Sequence, residues 1–566
     1  MTDNAARNES QVAYHRRRAE ELKTVRSPWE PVWTPCADYI EPTRLRLSSR
    51  NEGAISRDKI LNAKATVSLR TLASGMHSGI TSPARPWFRL ATLDPDLKDY
   101  APVKTYLADV EQRMREVFAG SNVYTAFHIG YGDLGLFGQS VGLLVEDENQ
   151  TVRLQQLLHG RFWIARDENG RATTLYRTFR WSVARIVSRF GLAKVSQRIK
   201  NLWDQSKYEE RFDIWHAVEP RLTRDPSRLD KKNKPFLSNY WEASETAGGM
   251  AGELLEESGF DENPIIAPPW ELAGDDHYGL SPGQVALGDV KGLQLMTKRK
   301  WEAIDKKVRP PMTGPTSMRN NPASLLPGAI TFVDDPAGKG FRAAMEVNLD
   351  LSHLTADIRG TEDAIDRFFF ADLFLMLANM DGIQPRNTME IAERKEEKLL
   401  QLGPVLENVY GGQLEPVIDR TYAIMIRNNM LPPPPPDLHN QPLKIEYISI
   451  LAQAQKAVAT GAVERGFAFA GQLAAVKPDV LDKLDADEAV DIYFDYLGVP
   501  PSIVVPDDKV AEVRKSRLQQ QQAAKNAEMM AQIAPAAKQG ADAAAVLAGA
   551  QNNPGGAELL NRLGIG

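Results

Sequence analysis

SPGQVALGDVKGLQLMTKRKWEAIDKKVRPP, residues 281–311, and LSHLTADIRGTEDAIDRFFFADLFLMLANM, residues 351–380, are the stretches on which the architecture turns. Ser281 is suited to cap a helix, and Pro282 stands where its missing N–H costs nothing. The helical period continues to Val308, gathers Lys298, Lys300, Lys306 and Lys307 on the way, and stops at Pro310-Pro311. In the second stretch Leu354, Ile358, Ile365, Phe369 and Met376 share one helical face. Thirty helical residues would span about 45 Å. The 312–350 segment between them is rich in Gly, Pro, Asn and Ser, with short β-like runs at Ala329–Val333 and Phe341–Val347. Two long helices are therefore expected to bracket a small β-containing insert.

Upstream of this pair the chain reads as helices and then strands. Helical spacing marks Ser10–Val25, Asp58–Gly75 and Val103–Ala119. From Val141 the signal turns to strands: Val141–Val145, Val152–Leu157, Phe162–Arg166 and Thr173–Arg177, the last two joined by a hairpin at Asn169-Gly170. All ten tryptophans lie between Trp29 and Trp301, so the main core is expected in the first half. Downstream, Thr388–Leu402 reads as a charged helix, Pro432–Pro436 as a stiff boundary, 440–515 as helices, and the tail from Gln519 as Gln/Ala-rich. The fold class is α+β and mostly helical.

Bulk composition excludes some functions. At 43% hydrophobic and 25% charged residues, the 566-residue chain is ordinary for a globular protein. A net charge of −6 excludes a surface that grips phosphates everywhere, though not local contact with DNA. Cys36 is the only cysteine, which fits assembly in a reducing cytoplasm. MTDNAARNESQ at the amino terminus has no signal-type apolar run. The most apolar stretch, Phe368–Met380, is interrupted by Asp372 and reads as a buried helix, so no membrane partner is expected.

Motifs for chemistry are weak. Gly130-Tyr131-Gly132-Asp133-Leu134-Gly135 fits the dinucleotide turn, but a helix precedes it and a strand follows, the reverse of what that turn needs. Gly138-Gln139-Ser140-Val141-Gly142 fits a nucleophile elbow, again in helix-to-strand order. No phosphate-binding loop ends in Gly-Lys-Ser/Thr. The eight histidines form no ligand spacing, and Asp275-Asp276-His277 reads as an acidic loop. Asp357, Asp363, Asp366 and Asp372 on the second long helix read either as lining something or as a solvated helix face. No catalytic residue, cofactor or metal is assigned.

Longer patterns say more. LASGMHSGITSPARPWFRL at 72–90, PRNTMEIAERKEEKLL at 385–400, Gly403-Pro404, the Leu431–Leu438 proline segment, and Trp29, Trp33, Asp38 and Pro42 resemble the portal, or head-to-tail connector, proteins of short-tailed bacteriophages (podoviruses) across roughly residues 15–500. That resemblance implies a non-enzymatic homododecamer at the capsid vertex of a virion, assembled in the host cytoplasm. Its implied partners are the terminase large subunit, a tail adaptor protein, the major capsid and scaffolding proteins, and double-stranded DNA passing in during packaging and out during ejection. It implies a wing (1–280), a stem (281–309 and 351–380), a clip (310–350), a channel loop with a wing return helix (381–436), a helical crown (437–515) and a tail or helical barrel (516–566). Gln384, Arg386 and Asn387 would face the channel. Lys298, Lys300, Lys306 and Lys307 would guide DNA, unless they merely complement the helix dipole. Arg319, Lys339 and Arg342 would make clip contacts. The competing classes are a non-portal structural tail or core protein and a serine hydrolase using Gly138–Gly142.

Overall fold

The computed structural model describes residues 2–47, 57–94, 97, 100–228, 230–243, 254–309, 312–313, 342–343, 351–378, 402–438, 441–448, 466–474, 477, 487–490, 505 and 509–525. The chain divides into two compact units, Met1–Gly461 and Ala462–Gly566. In the second, residues 466–474 and 509–525 are helical, and Arg514 pairs with Asp487 at 2.5 Å.

The first unit begins with α1 (Thr2–Arg26). Val12, Ala19 and Leu22 recur along it and seat it on one face of a five-stranded antiparallel sheet, where they meet Trp163, Tyr176, Ala217 and Trp241. The strands of this sheet are β4 (Phe162–Arg166), β5 (Ala172–Ser182), β6 (Arg211–Pro220), β7 (Phe236–Glu242) and β8 (Leu254–Phe260), in that order. Neighbouring strands pair all the way across, as in Trp215 opposite Trp241. Because strand side chains alternate, Trp181, Phe212, Ile214 and Tyr240 point to the other face. There they are covered by Val183, Ile186 and Phe190 of the helix Val183–Phe190 and by Ile199. The hairpin at Asn169-Gly170 forms, with Gly170 at φ +72.

The remaining early elements are α2 (Glu30–Tyr39), α3 (Lys64–Ile80), β1 (Phe88–Thr92), α4 (Ala101–Gly120) and α5 (Val123–Phe137), followed by β2 (Gly142–Asp147) and β3 (Thr151–Gln156). With β9 (Ile265–Ile266), the last two form a three-stranded sheet in the order β3-β2-β9. Trp33, Trp87, Phe118, Phe127 and Phe137 are fully enclosed in the main core. Burying one such side chain is worth about 1.5–3 kcal/mol.

The first long helix forms as expected. Ser281 Oγ accepts from the Gln284 N–H at 3.0 Å, Pro282–Val285 makes the opening turn, and α6 (Leu287–Val308) follows. The second long helix is shorter than its periodicity predicts. It divides into α7 (Ser352–Phe368) and α8 (Ala371–Ala378). Phe370, at φ +52, takes a left-handed conformation that a helix cannot carry. Of the insert, Met312–Thr313 pairs antiparallel with Arg342–Ala343; the Ala329–Val333 strand lies outside the described residues.

Thr388–Leu402 also lies outside them, save for Leu402, which opens a helical run 402–409. That run passes through a π turn, Tyr410–Leu414, into α9 (Glu415–Arg427). The helical reading of 440–515 needs correction at its start. Leu443–Tyr447 is a strand that pairs antiparallel with β1, so after the prolines the chain still packs on the early part of the first unit. The alternation of Leu443, Ile445 and Tyr447 toward the core is a strand signal too short to stand out in a helix-rich stretch.

Candidate functional site

The site begins where the long helices are rooted. Gln294, buried on α6, accepts from the backbone N–H groups of Leu61 and Asn62, each at 2.7 Å, and donates to the Asn62 carbonyl at 2.8 Å. The Asn62 side chain donates to Glu362 on α7 at 2.8 Å. One turn further, Ser68 donates to Asp366 at 2.6 Å while Lys64 pairs with its other oxygen at 2.5 Å. A single residue, Asn62, thus bridges both long helices to the start of α3. Asp366 is part of that root rather than a solvated face.

The contacts behind this root are close. At Gly75 a β-carbon would lie 2.1 Å from the Phe374 ring of α8, and at Gly135 it would lie 2.5 Å from Leu72. Gly283 approaches the carbonyl of Leu136. The glycines of the apparent nucleotide turn, Gly130, Gly132 and Gly135, therefore lie inside α5 as packing surface.

Along α6 the stripe that faces the core outruns its cover. Val290, Gln294 and Thr297 are buried. The same spacing of three and four residues continues to Trp301, Ile304 and Val308, which are 52%, 39% and 72% exposed. Sustained alternation of this kind is the seam of helix-to-helix packing. Lys298, Lys300, Lys306 and Lys307 fall outside the stripe and have no ion-pair partner among the described residues, whereas Arg299 pairs with Glu302 at 2.9 Å. Gln384, Arg386, Asn387, Arg319 and Lys339 lie outside the described residues. Arg342 occupies the short strand opposite Thr313.

The serine of the enzymatic alternative takes part in packing. Ser140 is buried and its Oγ accepts from Gln156 at 2.9 Å, just after the left-handed Gly138 that ends α5. Gln156 also donates to Asp133, which sits 3.2 Å from Arg44 and whose carboxyl is pushed up to about 7 by complete burial, against the pull of that arginine. This is a satisfied polar cluster joining a helix to a strand. Among the described residues no group of three or more His, Cys, Asp or Glu is placed to hold a metal ion. None of the helices there is long and apolar enough to cross a membrane.

One feature of this region is nearly silent in the sequence. Arg153, Arg177, Arg185 and Arg189 converge on a cleft of about 1050 Å³ between the two larger sheets. The only hint is Arg177-x-Phe179-x-Trp181, whose strand alternation puts all three on one face.

Comparison with known proteins extends these observations. The sequence pattern of the family described as "Bacteriophage head to tail connecting protein" matches residues 13–504. The chain is 43% identical over 522 residues to the portal protein of Salmonella phage epsilon15, covering 92% of this chain and 93% of that one. It is 44% identical over 531 residues to the probable portal protein of Bordetella phage BPP-1, covering 93% of each. A chain from the neck of an empty GTA particle superposes loosely, with a TM-score of 0.33 and 14% identity over 78% of this chain and 91% of the other.

Proposed function

The chain belongs to the family of bacteriophage head-to-tail connecting proteins, and from that membership we propose that it is a ring-forming portal subunit that conducts double-stranded DNA through the capsid vertex without catalysing a reaction. The observation that carries the ring is the α6 stripe. Its inner half packs on the chain's own core, while Trp301, Ile304 and Val308 continue the same line into solvent. Helix surfaces of that kind call for a neighbour. A contact between unlike surfaces of identical chains closes into a ring when the rotation allows it.

In this reading the stem comprises 281–309 and 351–380, the latter with its break at Phe370, and the clip is 310–350. The clip would meet the terminase and the tail adaptor. The wing comprises 1–280 together with the return through 402–427. Its border with the crown belongs after the strand Leu443–Tyr447 rather than at the proline run. The 381–387 loop would face the channel. An acidic subunit suits a conduit, since strong phosphate binding would brake a sliding duplex.

Purified protein tests this directly. Twelve copies of the 62.9 kDa chain make a particle of roughly 755 kDa with a central hole visible in micrographs. Trp301→Asp combined with Ile304→Asp should leave far-ultraviolet dichroism unchanged and abolish the ring. Monomers of the unaltered chain in every buffer, or rings that close despite both charges, would overturn the proposal.

A further inference from the structure

The arginine cleft is built around an enclosed guanidinium. Its floor is Arg177, 2% exposed. Three of its five N–H groups are spent on neutral acceptors: Gln155 Oε1 at 2.9 Å, His216 Nδ1 at 2.8 Å and the Tyr240 hydroxyl at 3.5 Å. His216 receives that bond on Nδ1 and donates from Nε2 to Ser238 at 2.9 Å, so its ring is neutral. No carboxylate pairs with Arg177 among the described residues, and burial lowers its pKa accordingly. A guanidinium enclosed with no counter-charge is costly unless something completes it.

The walls repeat the pattern. Arg177 lies over Phe179 at 4.6 Å, Phe179 stacks on Trp181 at 4.9 Å, and Arg185 lies over Trp181 at 4.5 Å. Stacking holds both guanidinium planes, leaving two N–H groups of Arg177 and the edge of Arg185 to meet an anion. Arg153, on the same face of β3 as Gln155, adds a further cation. Neither Arg153 nor Arg185 has a carboxylate partner among the described residues. Three of the acids around the cleft are already engaged: Glu256 with Arg189 at 3.6 Å, Asp261 with Lys234 at 2.6 Å and Glu146 with Asn428 at 2.7 Å.

We infer that this cleft receives a carboxylate-bearing segment of the adjacent copy in the ring, whose side chain reaches Arg177 between Arg153 and Arg185. The inference rests on the ring reading above. One observation favours a carboxylate side chain over nucleic acid. Arg177 is so enclosed that a slender side-chain tip reaches it more readily than a phosphodiester flanked by sugars. The net charge of −6 makes a second copy an acidic partner, and in a closed ring every subunit offers its cleft to a neighbour.

Carbodiimide coupling tests it, because activated carboxylates couple to lysine and not to arginine. Rings are assembled from equal parts of unlabelled and isotope-labelled chains carrying Arg153→Lys and Arg185→Lys, then coupled and digested. Peptides joining a labelled to an unlabelled chain through position 153 or 185 are expected, and should be absent from unaltered rings. Arg153→Glu with Arg185→Glu should raise the concentration for half-assembly roughly tenfold without shifting the subunit's thermal midpoint. Rings that form but give no link between chains at these positions overturn the inference and leave the ring reading standing. If those rings also bind a short DNA duplex through Arg153 and Arg185, the cleft belongs to nucleic acid. Failure of any ring to form removes both readings together.

Discussion

At the scale of single residues, His159 shows how burial sets a protonation state. Its ring stacks on Phe137 at 4.2 Å and meets Phe162 and Trp33 edge-on, and neither nitrogen has a hydrogen-bond partner among the described residues. Desolvation, aided by Arg26 and Arg44, brings its pKa down to about 3. The unfolded chain takes up a proton near pH 6.5 that the folded chain refuses until about pH 3. His159's share of stability is therefore whole above 6.5 and is lost as pH falls through that window. His159→Phe keeps the ring, removes two unsatisfied nitrogens and abolishes the titration. It should stabilise the protein by about 1–3 kcal/mol at pH 7, with a larger gain at pH 5. Urea midpoints at the two pH values check both statements, and an unchanged difference between them would refute the second. Nothing in the sequence marks this residue, since its neighbours in the core come from distant segments.

At the scale of elements, the long helices were legible because burying one face imposes a period that survives in a single sequence. The break at Phe370 was not. Phenylalanine disfavours the left-handed region, so its residue type announces no break; the turn at Phe370 accompanies the seating of α8 against α3. That seat depends on Gly75, where any side chain would run into the Phe374 ring. Gly75→Ala should cost about 1–3 kcal/mol by forcing Phe374 aside, and Phe374→Ala should cost about 3–5 kcal/mol by leaving a cavity. Together they should cost clearly less than the two separately, because the added methyl group occupies space the missing ring vacates. Additive denaturation energies would show that the two positions are not coupled through this packing. The strand Leu443–Tyr447 was missed for a related reason. Five residues of alternation mean little until β1, far away in the chain, supplies the partner.

At the scale of the whole molecule, the candidate site was partly legible. Composition and motif searches argued against a catalytic centre, and the stem lysines were visible in the sequence. The root at Asn62 and the arginine cleft were invisible, because each joins residues brought together only by folding. The lysines still carry two readings that make opposite predictions. If Lys298, Lys300, Lys306 and Lys307 guide DNA, replacing all four with Gln should weaken retention of a duplex by assembled rings and flatten its salt dependence. Every phosphate that is no longer neutralised lowers the slope of log K against log salt by about 0.9. If they only complement the carboxyl end of α6, Lys306 and Lys307 in its last turn are each worth about 0.3–1 kcal/mol of helix stability, and Lys298 and Lys300 add little. The variant would then melt at a lower temperature with its salt slope intact. Measuring both quantities on the same rings separates the readings, because counterion release depends on phosphate neutralisation and the helix dipole does not.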